Sequence, residues 1–163
     1  MKVKAGTQIN ADGKARLCAA FFAANLLLAY AGGAHAELGG APARFEAGST
    51  TSASSVAAAG SGYTLLDTAL PTGTHVREYV ARSGSVFAVG WDGPFLPDLQ
   101  ALLGAHFETM VAESAKTPRA GNSQLAVNRP DVVILSGGHM RAFEGRAWLP
   151  AELPAGLSAS DIR

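Results

Sequence analysis

The sequence predicts an α+β domain in which an antiparallel meander sheet of about five strands carries one amphipathic helix on one face. Three observations support this fold class. Short runs rich in β-branched and aromatic residues recur from Tyr63 onward and are separated by turn residues. A later segment, 97–116, instead has apolar residues at helical spacing. The chain has 163 residues, which suits one such domain behind an N-terminal extension.

Three strands are predicted first, and short turns join them. The runs are YTLLDTAL (63–70), HVREYVA (75–81) and SVFAVGW (85–91). The turns PTG (71–73) and RSG (82–84) end in glycine, which tolerates the positive φ that a tight turn requires. Strands joined by such short turns pair in the antiparallel sense.

One helix is predicted next, beginning near Pro97 and Asp98 and fading near Lys116. Proline suits the first turn of a helix, and Asp98 places a negative charge at the positive end of the helix dipole. One side of this segment is apolar and is expected to pack on the sheet. The apolar stripe consists of Leu99, Leu102, Leu103, Phe107, Met110 and Val111.

The last two strands are predicted as a hairpin, DVVILSGGHMRAFE (131–144), with a Gly-Gly turn at 137–138. A type I′ turn needs positive φ at both central positions, which glycine adopts without steric cost. Pairing the strands outward from this turn places Ser136, His139 and Arg141 together on one face. The opposite face of the predicted hairpin is apolar.

The first 36 residues are predicted to be a signal peptide that is removed after export. Basic residues precede the apolar run 17–31, and the AHA at 34–36 supplies small residues at the cleavage positions. The alternative is a membrane anchor, but the run contains Asn25 and is shorter than the ~20 apolar residues that span a bilayer. We therefore expect a periplasmic or secreted protein with no stable membrane anchor after cleavage.

The composition of the chain after residue 36 indicates a flexible arm in front of the folded domain. The stretch AGSTTSASSVAAAGSG (47–62) contains only small residues and valine, so it buries too little apolar surface to offset the entropy of ordering it. Upstream of it, Leu38 and Phe45 either dock on the domain or stay mobile. The expected organisation is a signal peptide (1–36), a flexible small-residue arm (37–61), a single α+β domain (62–157) and a C-terminal tail (158–163).

Composition also excludes several classes of function. The only cysteine, Cys18, lies in the signal peptide, so the mature chain has no disulfide, thiol nucleophile or thiolate metal site. Four of the 13 basic residues and one of the 13 acidic residues leave with the signal peptide, which changes the formal net charge from 0 to −3. A mildly acidic chain with scattered charges argues against a nucleic-acid partner.

The sequence shows no recognisable catalytic or metal-ligating group of residues, and no cofactor is expected. The histidines of the mature chain are not at ligand spacing, and no Gly-x-Ser-x-Gly elbow is present. Two carboxylates for glycoside chemistry can be chosen from Glu78, Asp92 and Glu144, but any protein offers such pairs.

The remaining candidate site is the polar face of the predicted hairpin. Arg141 can bind a carboxylate or another anion through two parallel hydrogen bonds, with His139 as its partner. The alternative is a solvated sheet face without a ligand. Residues of the second strand join the site if the strand order brings them close. The candidate ligand-binding residues are His139, Arg141, Ser136, Tyr79, Arg77 and His75.

Four blocks of the chain, in this order, resemble the proteobacterial exported family catalogued as domain of unknown function 2844. The blocks are ELGGAP (37–42), LPTGTHVREYV (70–80), SVFAVGWDGPFLPDLQALLG (85–104) and SGGHMRAFEGRAWLPAELPAG (136–156). The resemblance implies export and a single domain. It implies no activity, cofactor or site residue.

Two hypotheses for the function follow from the sequence. The first is an exported, non-catalytic module that binds a protein or another component of the cell envelope. The second is a small periplasmic enzyme or anionic-ligand binder that uses the face with His139 and Arg141. A concave site with converging polar groups favours the second hypothesis, whereas a flat or edge-exposed surface favours the first.

Overall fold

A computed structural model describes residues 37–57, 62–116 and 124–163, and a single antiparallel sheet runs through this part of the chain. The sheet has seven strands in the order β1-β2-β3-β4-β7-β6-β5. The predicted signal peptide (1–36) lies outside the described residues. The strands are β1 (Thr50–Val56), β2 (Tyr63–Ala69), β3 (His75–Ala81), β4 (Val86–Gly93), β5 (Leu125–Asn128), β6 (Val133–His139) and β7 (Ala142–Trp148).

Two α-helices, α1 (Leu99–Leu103) and α2 (His106–Lys116), replace the single predicted helix. The carboxylate of Asp98 caps α1 by accepting a hydrogen bond of 3.0 Å from the backbone N–H of Ala101. Gly104 ends α1 with φ of 52°. The predicted stripe is therefore divided between two helices, of which only α1 contains fully buried residues.

The predicted α+β class and antiparallel sheet are confirmed, but the expected number of strands is wrong because β1 and β5 add to the sheet. β1 lies inside the segment predicted to be flexible. It pairs with β2 over its whole length, from Thr50 opposite Ala69 to Val56 opposite Tyr63. The side chains of β1 bury little surface, so pairing of its backbone groups with β2 is what orders this segment.

The two faces of the sheet carry different cores. Successive side chains alternate across a strand, and we call the face with Glu78 the first face and the face with Arg77 the second face. The larger core includes Leu102 and Leu103 of α1, which pack with side chains of the first face. The smaller core contains Tyr79, Phe87, Ala88, Trp148 and Ile162.

The segment before β1 docks on the larger core instead of forming a flexible arm. Leu38 is buried in that core, and Phe45 is partly buried against it. The backbone N–H of Leu38 donates 3.0 Å to the carbonyl of Leu102, which is one of the carbonyls left unpaired at the end of α1. The predicted arm is thus part of the folded unit wherever the structure describes it.

The predicted C-terminal tail is also packed. Ile162 is fully buried, and residues Ala159–Asp161 form a short 3₁₀-helix, as do Pro150–Glu152. The hydroxyl of Tyr79 donates to the carbonyl of Asp161 at 3.3 Å and accepts from the N–H of Arg163 at 3.1 Å. Residues 158–163 therefore cover part of the second face.

The β6–β7 hairpin does not turn at glycines 137–138. The register pairs His139 with Ala142, so the turn consists of Met140 and Arg141. Arg141 has a positive φ of 68°, and the side chain of Met140 is 90% exposed. The predicted type I′ Gly-Gly turn is wrong because both glycines are paired residues within β6.

Candidate functional site

A broad, open groove of about 940 Å³ lies on the second face, where β4, β7, β6 and β5 are neighbours. Its floor includes backbone and small residues, because Gly137 and Ala126 occupy second-face positions of β6 and β5. The C-terminal segment borders it, since the carbonyl of Arg163 occupies the space that a side chain at Gly90 would fill. The larger side chains around the groove include Arg77, Asp92, Glu144, Arg146, Leu135 and Ile162.

Arg77 is fixed at the groove by two carboxylates. Its Nη1 donates to Oδ1 of Asp92 at 2.6 Å, and its Nε donates to Oδ2 of Asp67 at 3.3 Å. Burial acts to lower the pKa of Arg77, but hydrogen bonding and charge from Asp92, and then from Asp67, raise the pKa overall. Asp67 also contacts His75, with 3.2 Å between Oδ1 and Nδ1. The guanidinium of Arg77 is therefore held in place, and its positive charge is already balanced by the two carboxylates.

Arg146 and Glu144 add charges of opposite sign on β7. The Nη1 of Arg146 donates to the carbonyl of Ile162 at 3.1 Å, and its guanidinium carbon lies 6.0 Å from the centre of the Trp148 ring. These two contacts hold the side chain and leave other N–H donors unused within the described part of the chain. Glu144 lies directly opposite Asp92, and its carboxylate has no hydrogen bond or ion pair with another described residue. The groove thus offers both a donor and an acceptor to a ligand.

The structure does not bring the six candidate residues from the sequence together. His139 and Arg141 are exposed at the end of the β6–β7 hairpin and do not line the groove. Ser136 does border the groove, but it is three positions from His139 on β6, so strand alternation directs their side chains to opposite faces. The predicted grouping of these residues depended on the incorrect turn.

The candidates on β3 lie elsewhere on the second face. The register confirms that His75, Arg77 and Tyr79 share a face, but β4 and β7 separate β3 from β6. Tyr79 is buried and holds the C-terminal segment through its hydroxyl. Only Arg77 of these three lines the groove, and His75 supports it indirectly through Asp67.

The sequence alone does not single out Arg146, and it offers Asp92 and Glu144 only as generic carboxylates. The missing information was the pairing of β4 with β7, which are far apart in sequence. One signal was present, because Glu144 and Arg146 are two positions apart and therefore share a face of a strand. That signal identifies a pair but not its neighbours.

Glu78 is a buried acid on the first face, away from the groove. Its side chain lies in an apolar core, and the residue is 3% exposed. Its Oε1 accepts a hydrogen bond of 2.7 Å from the backbone N–H of Ala43, in the segment before β1. Burial raises the pKa of Glu78, and the hydrogen bond from Ala43 opposes that rise. The ionised form is consequently less favourable in the folded state than in the unfolded chain.

Replacing Glu78 with glutamine is expected to stabilise the protein at pH 8 by on the order of 1 kcal/mol. A raised folded-state pKa gives stability that is fully present below the ordinary glutamate pKa of about 4.3 and is lost as the pH rises through the folded-state pKa. Glutamine keeps the size and the acceptor oxygen but never ionises. Urea unfolding of both proteins between pH 4 and pH 8 should show a difference that shrinks as the pH falls. A wild type that is the more stable form at pH 8 would contradict this account.

The described residues bear on metal binding and on nucleophilic catalysis in two ways. They contain no group of three or more His, Asp or Glu residues placed to hold a metal ion. The imidazole of His75 contacts Asp67, and no hydroxyl lies within hydrogen-bond distance of it in the described part of the chain. None of the helices in the described ranges combines the length and the apolar character that spanning a bilayer requires.

Together, the sheet and the groove define a small α+β domain with an open, mixed-charge concavity on one sheet face. Residues 34–162 match the family model described as "Protein of unknown function (DUF2844)", and the chain belongs to this family. The resemblance inferred from the sequence blocks is thereby confirmed. No match was found among curated proteins. None was found among solved structures.

Proposed function

We propose that this chain is an exported, non-catalytic module that binds a protein or another component of the cell envelope through the groove on its second face. The observation that carries this proposal is the groove itself. Charged side chains of both signs surround a floor of backbone and small residues. Concave surfaces with a small number of placed polar groups are typical of binding sites. The sequence alone associates a concave site with an enzyme or an anionic-ligand binder, but this groove is broad and open, and its arginines already have partners within the protein. Such a groove suits the surface of another protein better than a small substrate.

The side chains of the groove are suited to binding because the structure already holds them. Arg77 has two carboxylate partners, and Arg146 is held by the carbonyl of Ile162 and the ring of Trp148. Binding a ligand therefore costs the protein less side-chain entropy than it would if these arginines were mobile. Leu135 and Ile162 add apolar surface beside these charges. A ligand with polar groups on an apolar body, such as a segment of another protein, matches this arrangement.

Binding is better supported than catalysis by the chemistry of the described residues. Asp92 is engaged by Arg77, and Glu144 is exposed, so neither carboxylate is set apart as a proton donor. The second hypothesis from the sequence needs His139 and Arg141 in a concave site, and both lie exposed at the hairpin end. We therefore assign binding to the groove and not to the hairpin end.

Export remains part of the proposal and rests on the N-terminal sequence. The order of basic residues, apolar run and small residues before Glu37 is typical of a secretory signal. A periplasmic or secreted location follows from that pattern.

A leucine at position 137 is expected to block the groove without unfolding the protein. A Cβ at Gly137 would meet only the Cγ of Gln124, at an ordinary 3.5 Å, and Gly137 does not have a left-handed φ. Purified wild type should capture an envelope component from extract, and Gly137→Leu and Arg146→Ala should each reduce that capture at least tenfold, which corresponds to about 1.4 kcal/mol. The measurement is a quantitative pull-down with recovery compared at equal bait concentration.

Two substitutions at the hairpin end serve as controls for this test. His139→Ala and Arg141→Ala remove polar groups of similar type outside the groove and should leave capture unchanged. Thermal unfolding of each variant shows that the fold is retained. Full capture by Gly137→Leu, or a loss confined to His139→Ala and Arg141→Ala, would remove the groove from the function.

A further inference from the structure

The outer edge of β1 is an open edge of the sheet. β1 pairs with β2 on one side and is the first strand in the sheet order, so its other side has no strand partner among the described residues. The backbone N–H and C=O groups along such an edge are available to pair with another strand. The pairing with β2 runs over seven residues in a regular register without a bulge.

β1 lacks the features by which proteins usually protect a sheet edge. Charged side chains, proline and bulges all discourage a second strand from pairing. The sequence of β1, TTSASSV, contains no charge and no proline. The opposite edge differs, since β5 has only four residues and is followed by Arg129 and Pro130. Within the described ranges, one edge of this sheet is short and flanked by protective residues, and the other is long and carries neither charge nor proline.

We propose that two copies of this chain associate by antiparallel pairing of their β1 strands. This inference is independent of the groove and of what the groove binds. A two-fold axis places the same edge on both partners, so the exposed donors of one copy meet the exposed acceptors of the other. The two sheets then continue as one, with their first faces on the same side.

One register gives complete overlap of the two strands. When Ala53 faces Ala53 of the second copy, Ser52 faces Ser54, Thr51 faces Ser55 and Thr50 faces Val56. Residues that face each other in this register are on the same face of the sheet, as strand alternation requires. The side chains are small, so no large group obstructs the approach.

The absence of charge on β1 favours a second copy as the partner. Any charged residue on this strand would be placed close to the same charge of the other copy, and like charges on facing strands are destabilising. β1 has none, so the edge does not repel itself. The interface consists mainly of backbone hydrogen bonds and buries little apolar surface, so the dimer is weak, with a dissociation constant above about 1 μM.

A charge at the two-fold axis tests the proposal. Ala53 is exposed and lies opposite Leu66 of β2, so Ala53→Lys and Ala53→Glu are expected to fold normally. Analytical ultracentrifugation should show concentration-dependent dimers of the wild type and at least tenfold weaker association of each variant alone. An equimolar mixture of the two variants should recover association, because lysine then faces glutamate. Ala151→Lys introduces the same charge on the exposed 3₁₀-helix after β7 and should dimerise like the wild type.

Hydrogen exchange of the wild type gives a readout that needs no substitution. Amides of β1 should exchange more slowly as the protein concentration rises, while those of β5 should not change. The proposal is overturned if the wild type stays monomeric, or if Ala53→Lys dimerises as readily as the wild type. It is also overturned if the mixed variants fail to associate, or if the added protection lies outside β1.

Discussion

Replacing Leu103 with alanine is expected to lower the free energy of unfolding by about 2–5 kcal/mol. Leu103 is fully buried, and its side chain belongs to the core between α1 and the first face of the sheet. Truncation loses the transfer free energy of the removed methyl groups and leaves a cavity that the surrounding strands fill only in part. Urea unfolding at constant pH measures the effect, with the slope compared to confirm that the folded state stays compact.

Val111→Ala is the matched control because the sequence places Val111 in the same apolar stripe as Leu103. In the structure Val111 is 44% exposed on α2, and α2 contains no fully buried residue. Its truncation should change stability by no more than about 0.5 kcal/mol. Equal losses from the two substitutions would show that α2 packs on the sheet as closely as α1 does, contrary to the structure.

The difference between these helices shows where periodicity stops being informative. The stripe from Leu99 onward predicts the buried residues of α1, since helical spacing reports which side faces a core. It does not reveal the break at Gly104, where the segment around Glu37 lies against the glycine and leaves no space for a side chain. That contact joins residues far apart in sequence, so no local pattern contains it.

The strands show the same contrast between elements that the local sequence predicts and elements that depend on residues far away in the chain. β2, β3 and β4 are joined by short turns, and their predicted bounds agree closely with the observed ones. β1 was missed because its composition indicates disorder, and only the edge of β2 gives it a partner. The groove was missed for the same reason, since it requires β7 to lie beside β4.

Replacing Gly138 with alanine is expected to destabilise the protein by about 2 kcal/mol or more. Gly138 has a φ of 137°, a conformation that residues with a Cβ rarely adopt. A Cβ there would also overlap the carbonyl group of Ala142 and the Cα of Phe143, which belong to the facing strand β7. Neither group can move alone because both are backbone atoms of the hairpin. Thermal or urea unfolding measures the loss.

Gly137→Ala separates the observed hairpin from the one that the sequence predicts. A Gly-Gly turn needs positive φ at both positions, so each alanine would be similarly destabilising. In the observed register Gly137 is an ordinary strand residue whose nearest neighbour is the Cγ of Gln124 at 3.5 Å, so its replacement should change stability by no more than about 1 kcal/mol. A large loss at 138 with a small one at 137 fits a turn at Met140 and Arg141. Similar large losses at both positions would instead restore the Gly-Gly turn, and with it the face that unites Ser136, His139 and Arg141.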